Sequence, residues 1–415
     1  MFYNVVVCGA DMEYHDSQAA KELAARAEAF VDEVVIPTER EYLGDGPVPA
    51  DVIADLQAEA RERDVYCPQI GEEYGGMGMA FADVLPLFEQ AGRSLLAAPA
   101  MRVDAPDEGN MHTLEMFGTE AQKEEYLKPL VANDLHSGFS MTEPRQGAGS
   151  DPKMMKTRAE RDDGEWVING HKWWTTNGMR ADFLIVMART DMDEHPYTGT
   201  SLILVPVDTE GVEVVRDIPH LGQSVVPEDH AEITFTDVRV PAENLLGDLN
   251  DGFKHAQQRL GPARLTHCMR FTGMATRSLD VAKAYMEERE GFGSSLADKQ
   301  SQRFAIADME TRLHASRVMV RHAAKEITEG NEARIPVSMC KVFAANVTNE
   351  AVDLAIQCCG GPGMSEDLPL ADFYQAVRAF RIVDGADEVH KRVIARDAFG
   401  EVDAAELENL PVFQE

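Results

Sequence analysis

The sequence predicts a mainly α-helical chain with a β-barrel middle domain, and three observations carry that. Apolar residues recur at helical spacing from residue 17 to about 136, short β-type runs divided by turns follow to about 245, and helical spacing returns from about 250. A length of 415 residues allows two or three domains. The expected division is 1–136, helical; 137–247, the β-domain; and 248–415, a helical bundle.

In the first region Ser17 to Val35 is Ala/Glu-rich with helical spacing and is expected to stop at Pro37. Pro49 to Arg63 repeats the pattern, and Thr119 is an N-cap candidate with acids in the turn that follows. In the second region Trp166-Val-Ile, Phe183-Leu-Ile-Val-Met, Ser201-Leu-Ile-Leu-Val, Val212-Glu-Val-Val and Ala231-Glu-Ile-Thr-Phe read as strands, with Asn169-Gly170 as a hairpin turn. No helix intervenes, which suggests a small antiparallel barrel or sandwich. In the third region Phe253–Arg259, Thr266–Glu290, Ser301–Thr328, Ser338–Gln357 and Ala386–Phe399 have helical spacing, broken by Gly360-Gly-Pro-Gly.

The formal net charge is −33, from 72 acidic and 39 basic residues. Such a surface excludes nucleic-acid binding, which needs basic patches, and docking on an anionic membrane. It suits high salt, where self-repulsion is screened. No run approaches the roughly 20 apolar residues of a membrane span. The N-terminal segment lacks a basic flank and a cleavage pattern, so it reads as a ragged or paired terminus and not a signal peptide. The six cysteines form no CxxC pair, and the twelve histidines form no HxH or HExxH cluster. A disulfide framework and a metal site therefore have no support, and the chain is expected to be cytoplasmic.

Gly75-Gly-Met-Gly and Gly360-Gly-Pro-Gly have the composition of phosphate loops, but neither joins a strand to a helix in a βαβ unit, so both read as turns. The tract Asn169-Gly-His-Lys-Trp-Trp-Thr-Thr-Asn-Gly178 holds two of the chain's three tryptophans. Its composition suits either a packed hairpin or a wall for a flat ring.

At this tract the sequence resembles the acyl-CoA dehydrogenase family, whose segment is GxKxWxTNG. Glu73-Tyr-Gly-Gly-Met-Gly, Gly118-Thr-Glu-Ala-Gln-Lys, Met141-Thr-Glu-Pro144 with Gly147-Ala-Gly-Ser-Asp151, Asp237-Val-Arg-Val-Pro241, Arg289-Glu-Gly-Phe-Gly293 with Gln300, and Gln357-Cys-Cys-Gly-Gly361 resemble further family segments in the family's order. The resemblance implies a helical domain, a β-domain and a C-terminal four-helix bundle. It implies FAD as cofactor, with Met141, Thr142, Trp174 and Thr176 at the flavin and Ser150 at the pyrophosphate. Arg289, Phe292, Gln300, Gln357 and Gly361 would hold the adenine half, shared with a second subunit of a homo-oligomer. Arg145 and Gln146 are extra relative to the family's TEPGAGSD.

The family's chemistry removes a proton from Cα of an acyl-CoA thioester and passes a hydride from Cβ to flavin N5, giving the 2-enoyl-CoA. It needs a carboxylate base facing the acyl chain. In most members this is a Glu in a YEGT segment, and ungapped counting from Gln357 brings that position to Val383-Asp-Gly-Ala386, where Asp384 replaces the Glu. A second branch keeps its base on an earlier helix, but Gly261-Pro-Ala-Arg264 offers no carboxylate there. Asp384 also suits a helix N-cap, and His390 nearby suits a structural histidine. Ala105-Pro-Asp-Glu-Gly-Asn-Met111, Arg264-Leu-Thr-His-Cys-Met-Arg270 and the Asp384 segment resemble the branch of family members ten and eleven, which carries Asp here. The resemblance then implies Asp384 as catalytic base, Arg264 and Gly385 on the acyl-CoA, and an electron-transfer flavoprotein as partner. Alternatives are a nitroalkane-oxidase-like flavin oxidase, for which Lys391 is a candidate cation, and a non-catalytic flavin- or acyl-CoA-binding protein.

Overall fold

A computed structural model of the protein describes residues 14–221, 229–400 and 410. The expectation for the N-terminal segment, Cys8 included, falls mostly on residues outside these. Helix α1 (Gln18–Phe30) opens on Ser17, whose side chain accepts from the Ala20 N–H. The helical path does not stop at Pro37. A π-turn over Val31–Val35 hands the chain to α2 (Ile36–Tyr42), with the Ile36 N–H donating to the Val31 carbonyl. Pro37 therefore enters in the first turn of α2, where its missing N–H costs little.

Helices α3 (Ala50–Glu62), α4 (Phe81–Gly92), α5 (Ala97–Ala100), α6 (Asp107–Phe117), α7 (Glu120–Gln122) and α8 (Lys128–Ala132) complete the first region. Thr119 caps α7 in a reciprocal capping box with Gln122. Gly75-Gly76 is a turn, as its spacing suggested, with the Gly75 N–H on the Glu72 carbonyl (3.0 Å), and it also packs closely: a Cβ on Gly76 would lie 2.1 Å from the Ile70 carbonyl oxygen.

The middle region is one eight-stranded sheet in the order β6-β7-β3-β2-β4-β5-β8, with β1 beside β4. The strands are β1 (Ser137–Ser140), β2 (Arg158–Asp162), β3 (Glu165–Thr176), β4 (Phe183–Arg189), β5 (Thr200–Pro206), β6 (Val212–Asp217), β7 (His230–Pro241) and β8 (Leu245–Leu246). Strands β1 and β2 run parallel to β4, so the sheet is mixed and not wholly antiparallel.

Asn169-Gly170 is not the hairpin. It lies inside β3, where Asn169 Nδ2 donates to Asp237 Oδ1 across the sheet (3.0 Å) and a Cβ on Gly170 would lie 2.3 Å from Thr157 Oγ1. The glycine serves a close strand crossing. The actual β2–β3 turn is Asp163-Gly164, with φ of 48° and 84°, the left-handed pair that a tight hairpin demands.

The third region contains α9 (Gly252–Glu288), α10 (Gln300–Thr328), α11 (Arg334–Cys359), α12 (Leu370–Phe380) and α13 (Asp387–Gly400), with a small hairpin of β9 (Glu290–Gly291) and β10 (Ser294–Ser295). The two helices expected on either side of Gly261-Pro262 are one 37-residue helix. The local penalty of proline, about 3 kcal/mol, is outweighed by an almost continuous buried face on both sides of it. Helix α12 was not foreseen, although Leu370, Phe373, Val377 and Phe380 form a buried stripe at helical spacing.

The outer regions are tightly joined. Helices α4 and α9 cross at Gly92 and Gly273, where added Cβ atoms would lie 1.7 Å from the Arg270 carbonyl oxygen and 1.9 Å from that of Glu89. Arg277 on α9 pairs with the buried Glu39 of α2 at 2.6 Å. No described helix is long and apolar enough to cross a membrane.

Candidate active site

The loop between β1 and β2 carries Met141 and Thr142, and a buried ion pair builds it. Lys172, fully buried on β3, donates to the Met141 carbonyl (2.9 Å) and to Glu143 Oε1 (3.1 Å). Glu143 also accepts from the backbone N–H groups of Ala148 (3.1 Å), Lys156 (2.8 Å) and Thr157 (2.8 Å). Burial alone would raise its carboxyl, but Lys172 and these donors outweigh that and hold it below the ordinary range. Burial pulls Lys172 down to about 8, against the pull of Glu143, so the pair is ionised at neutral pH. The Trp173 N–H then donates to the Thr142 carbonyl (3.0 Å). The outcome is a β1–β2 loop bound to the strand that carries Trp174 and Thr176.

The extra Arg145 and Gln146 are both exposed and form an outward turn, closed by the Gly147 N–H on the Pro144 carbonyl (3.1 Å). Past the turn, the chain rejoins the Glu143 clamp through Ala148, and Ser150 follows on the exposed side.

A bulge between Lys172 and Thr175 turns Trp174 out of the sheet, with φ 55° and 42% of its surface exposed. Thr176 Oγ1 hydrogen-bonds His230 Nδ1 (3.1 Å). Beside this surface the buried Trp173 Nε1 and Asn177 Nδ2 have no partner. An exposed indole face next to unsatisfied donors fits a flat heteroaromatic ring with acceptor atoms, which is what an isoalloxazine offers.

Arg289, Phe292, Gln300, Gln357 and Gly361 form a second group at one end of the bundle, and all five are exposed. Arg289 ends α9, Gln300 opens α10, and Gln357 and Gly361 flank the end of α11. The Cys358 thiol donates to Gln302 Oε1 (3.2 Å), joining the end of α11 to the start of α10. Phe292, at the hairpin tip, is fully exposed. These residues share no described hydrogen bond or ring contact with the Trp174 group.

Asp384 lies between α12 and α13 with φ 58°, followed by Gly385 at φ 98°. Its carbonyl accepts from Arg264 Nε (2.9 Å) and contacts His390 Nε2 (3.1 Å), while its carboxylate Oδ2 bonds His267 Nδ1. Among the described residues, no hydrogen bond reaches Oδ1. The side chain is 14% exposed. Burial alone would raise the carboxyl, but His267, then Arg264 and Arg259, hold it well below the ordinary range. The residue is therefore not a helix cap: its side chain turns toward α9 and not onto the α13 N–H groups. His390 is buried between Asp384 and Ser338 and pushed down to about 4, chiefly by burial, which agrees with a structural histidine. Lys391 is exposed.

Sequence reasoning missed Glu143, Lys172 and His267 as functional parts. All three stood inside quoted segments without a role, His267 as the residue one helical turn after Arg264. Cys67, Cys268, Cys340, Cys358 and Cys359 are buried free thiols, as expected of small apolar-type residues. Asp248, Asp251 and His255 lie close enough to hold an ion, although Asp251 is engaged by Lys254 at 2.7 Å.

The order of helical region, mixed sheet and helical bundle, with an exposed indole on the sheet, is the architecture of a flavin-dependent dehydrogenase. Family models agree along the chain: acyl-CoA dehydrogenase N-terminal domain at 17–134, middle domain at 138–238 and C-terminal domain at 250–399. The chain is 41% identical over 397 residues to probable acyl-CoA dehydrogenase FadE2 of Mycobacterium tuberculosis, covering 93% of this chain and 96% of that one. It is 35% identical to acyl-CoA dehydrogenase family member 10 of Mus musculus, covering 92% of this chain but only 37% of that protein. Butyryl-CoA dehydrogenase from Megasphaera elsdenii shares the fold with TM-score 0.83 and 28% identity, over 94% of this chain and 100% of that one. The chain belongs to the acyl-CoA dehydrogenase family, oxidoreductases that act on acyl-CoA with FAD as cofactor.

Proposed function

We propose that this chain removes hydrogen from Cα and Cβ of an acyl-CoA thioester to give the 2-enoyl-CoA, with Asp384 as the base. The supporting observation is the state of that carboxylate: half-buried, ionised, one oxygen bonded and the other open. FAD, when bound, supplies the two-electron acceptor. Trp174 would lie on the ring face, with Met141, Thr142 and Thr176 at its edge and Ser150 toward the pyrophosphate. Arg289, Phe292, Gln300, Gln357 and Gly361 would take the adenine half together with a second subunit, which accords with a fully exposed Phe292.

The protein's own work is to hold the base. Aspartate is one methylene shorter than glutamate, so its backbone must be placed accurately. Arg264 and His390 do this at the Asp384 carbonyl, and the left-handed turn at Asp384-Gly385 sets the Gly385 backbone beside the base, where it would meet the thioester. Arg264 Nε faces the base loop, which leaves its terminal nitrogens for the CoA portion. Electrons pass onward to an electron-transfer flavoprotein.

The test is anaerobic flavin bleaching by a panel of acyl-CoAs. Wild type bleaches with at least one thioester, whereas Asp384→Asn keeps its FAD and does not bleach. A variant that bleaches at the wild-type rate would remove Asp384 as the base. Rapid oxygen consumption with nitroalkanes, and no bleaching by any thioester, would overturn the function.

A further inference from the structure

The base described above is a single short carboxylate, and three donors from two helices converge on its residue. Arg264 and His267 stand three residues apart on α9 and so share one face. Arg264 holds the Asp384 backbone, and His267 Nδ1 holds Oδ2. His390, on α13, meets the same carbonyl from the other side. His267 is itself fixed, with Phe271 and Phe380 edge-on to its ring at 6.4 Å each.

The other ring nitrogen, His267 Nε2, is buried without a partner. A neutral ring with its proton on Nδ1 leaves only a lone pair there, whereas an imidazolium would bury an unbonded N–H donor. The ring therefore donates from Nδ1 to Oδ2, and Oδ1 is left as the oxygen that meets substrate. The surrounding charges are Arg259 on α9, which is near Asp384 without pairing to it, and Lys341 on α11, which is engaged by Asp387 at 3.4 Å. Cys268 is the thiol beside them, and burial keeps it protonated.

The geometry points to His267 as a positioning residue for proton abstraction: by holding Oδ2 through Nδ1–H it aims Oδ1 of Asp384 at the substrate α-carbon. In the step, the Cα–H bond breaks, its electron pair stays on the thioester as an enolate, and the proton goes to Oδ1. His267 keeps its own proton throughout. This inference rests on Asp384 being the base.

The test reads proton abstraction directly, as exchange of the α-protons of a 3-thia-acyl-CoA with D2O, followed by NMR on the FAD-loaded protein; the β-sulfur blocks oxidation. His267→Phe should slow exchange by about 100-fold, the scale of an ångström-sized misplacement, with thioester affinity within about threefold. His267→Asn places an amide donor near the Nδ1 position and should recover at least about tenfold of that loss. Wild-type exchange in His267→Phe overturns the proposal. So does a His267→Asn variant that is no faster than His267→Phe. If His267→Phe does not fold, His267→Leu, which also lacks a donor, takes its place in both comparisons. Asp384→Asn separates the two claims: wild-type exchange there removes the base itself, whereas loss there with normal exchange in His267→Phe removes only the role of His267.

Discussion

Glu143, buried, and Asp384, half-buried, are both carboxylates held below the ordinary range, yet they sit in opposite situations. Glu143, in the β-domain, accepts from Lys172 and the Thr157 N–H at Oε1 and from the Ala148 and Lys156 N–H groups at Oε2. Asp384, between two helices of the bundle, has one oxygen held by His267 and the other without a described partner. Ionisation alone does not separate a structural acid from a reactive one. Saturation does: a carboxylate with every acceptor position filled can only hold its neighbours, and one with an open oxygen can take a proton.

The largest expected effect breaks the reactive side. Asp384→Asn should lower kcat by at least about 10³-fold, within the range of general-base catalysis, with FAD content unchanged. Glu143→Ala should do the reverse, losing FAD and stability while leaving the base loop intact. Stripping the partner from buried Lys172 costs about 3–5 kcal/mol, read as a denaturant midpoint. The pH dependence has a definite sign. The Glu143 carboxyl is lowered on folding from its ordinary 4.5, so its stabilisation is present above about that pH and lost as pH falls further. Thermal scans should show wild type losing stability on acidification, with a flatter profile in Glu143→Gln.

A smaller effect is expected at Gly385. Replacement by alanine imposes a side chain at φ 98° and places a Cβ 2.8 Å from His390 Nε2. Gly385→Ala should cost about 1–3 kcal/mol and lower kcat by displacing the Asp384 carbonyl from its two partners. Deleting Arg145 and Gln146 should change least, because both are exposed and the clamp closes behind them. FAD content and Tm should stay near wild type. A large loss there would mean that the turn itself contacts the cofactor.

The tract that pointed to a flat ring was legible because two adjacent tryptophans in a chain with three are costly to leave without a purpose. The hairpin was misplaced for an equally physical reason. Asn169-Gly170 and Asp163-Gly164 are both good turn pairs, and only the packing of Gly170 against Thr157 settles which one turns. The long α9 was hidden by Gly261-Pro262, whose local preference opposes a helix that burial on both sides sustains. The break expected at Pro37 failed in the same manner, through a π-turn that no local pattern announces.

By itself the sequence determined the order of helical, sheet and helical regions, the family, the cofactor, and Asp384 as the acid at the expected position. The order follows from local periodicity, and the family, FAD and the Asp384 position follow from the resemblance of ordered motifs, which a linear chain displays. The tertiary structure alone decided which acids are saturated. The Glu143 clamp unites residues 143 and 172, and the Asp384 site unites residues 264, 267, 384 and 390. A hydrogen bond depends on angle and distance between groups far apart in the chain, and only folding brings them within reach.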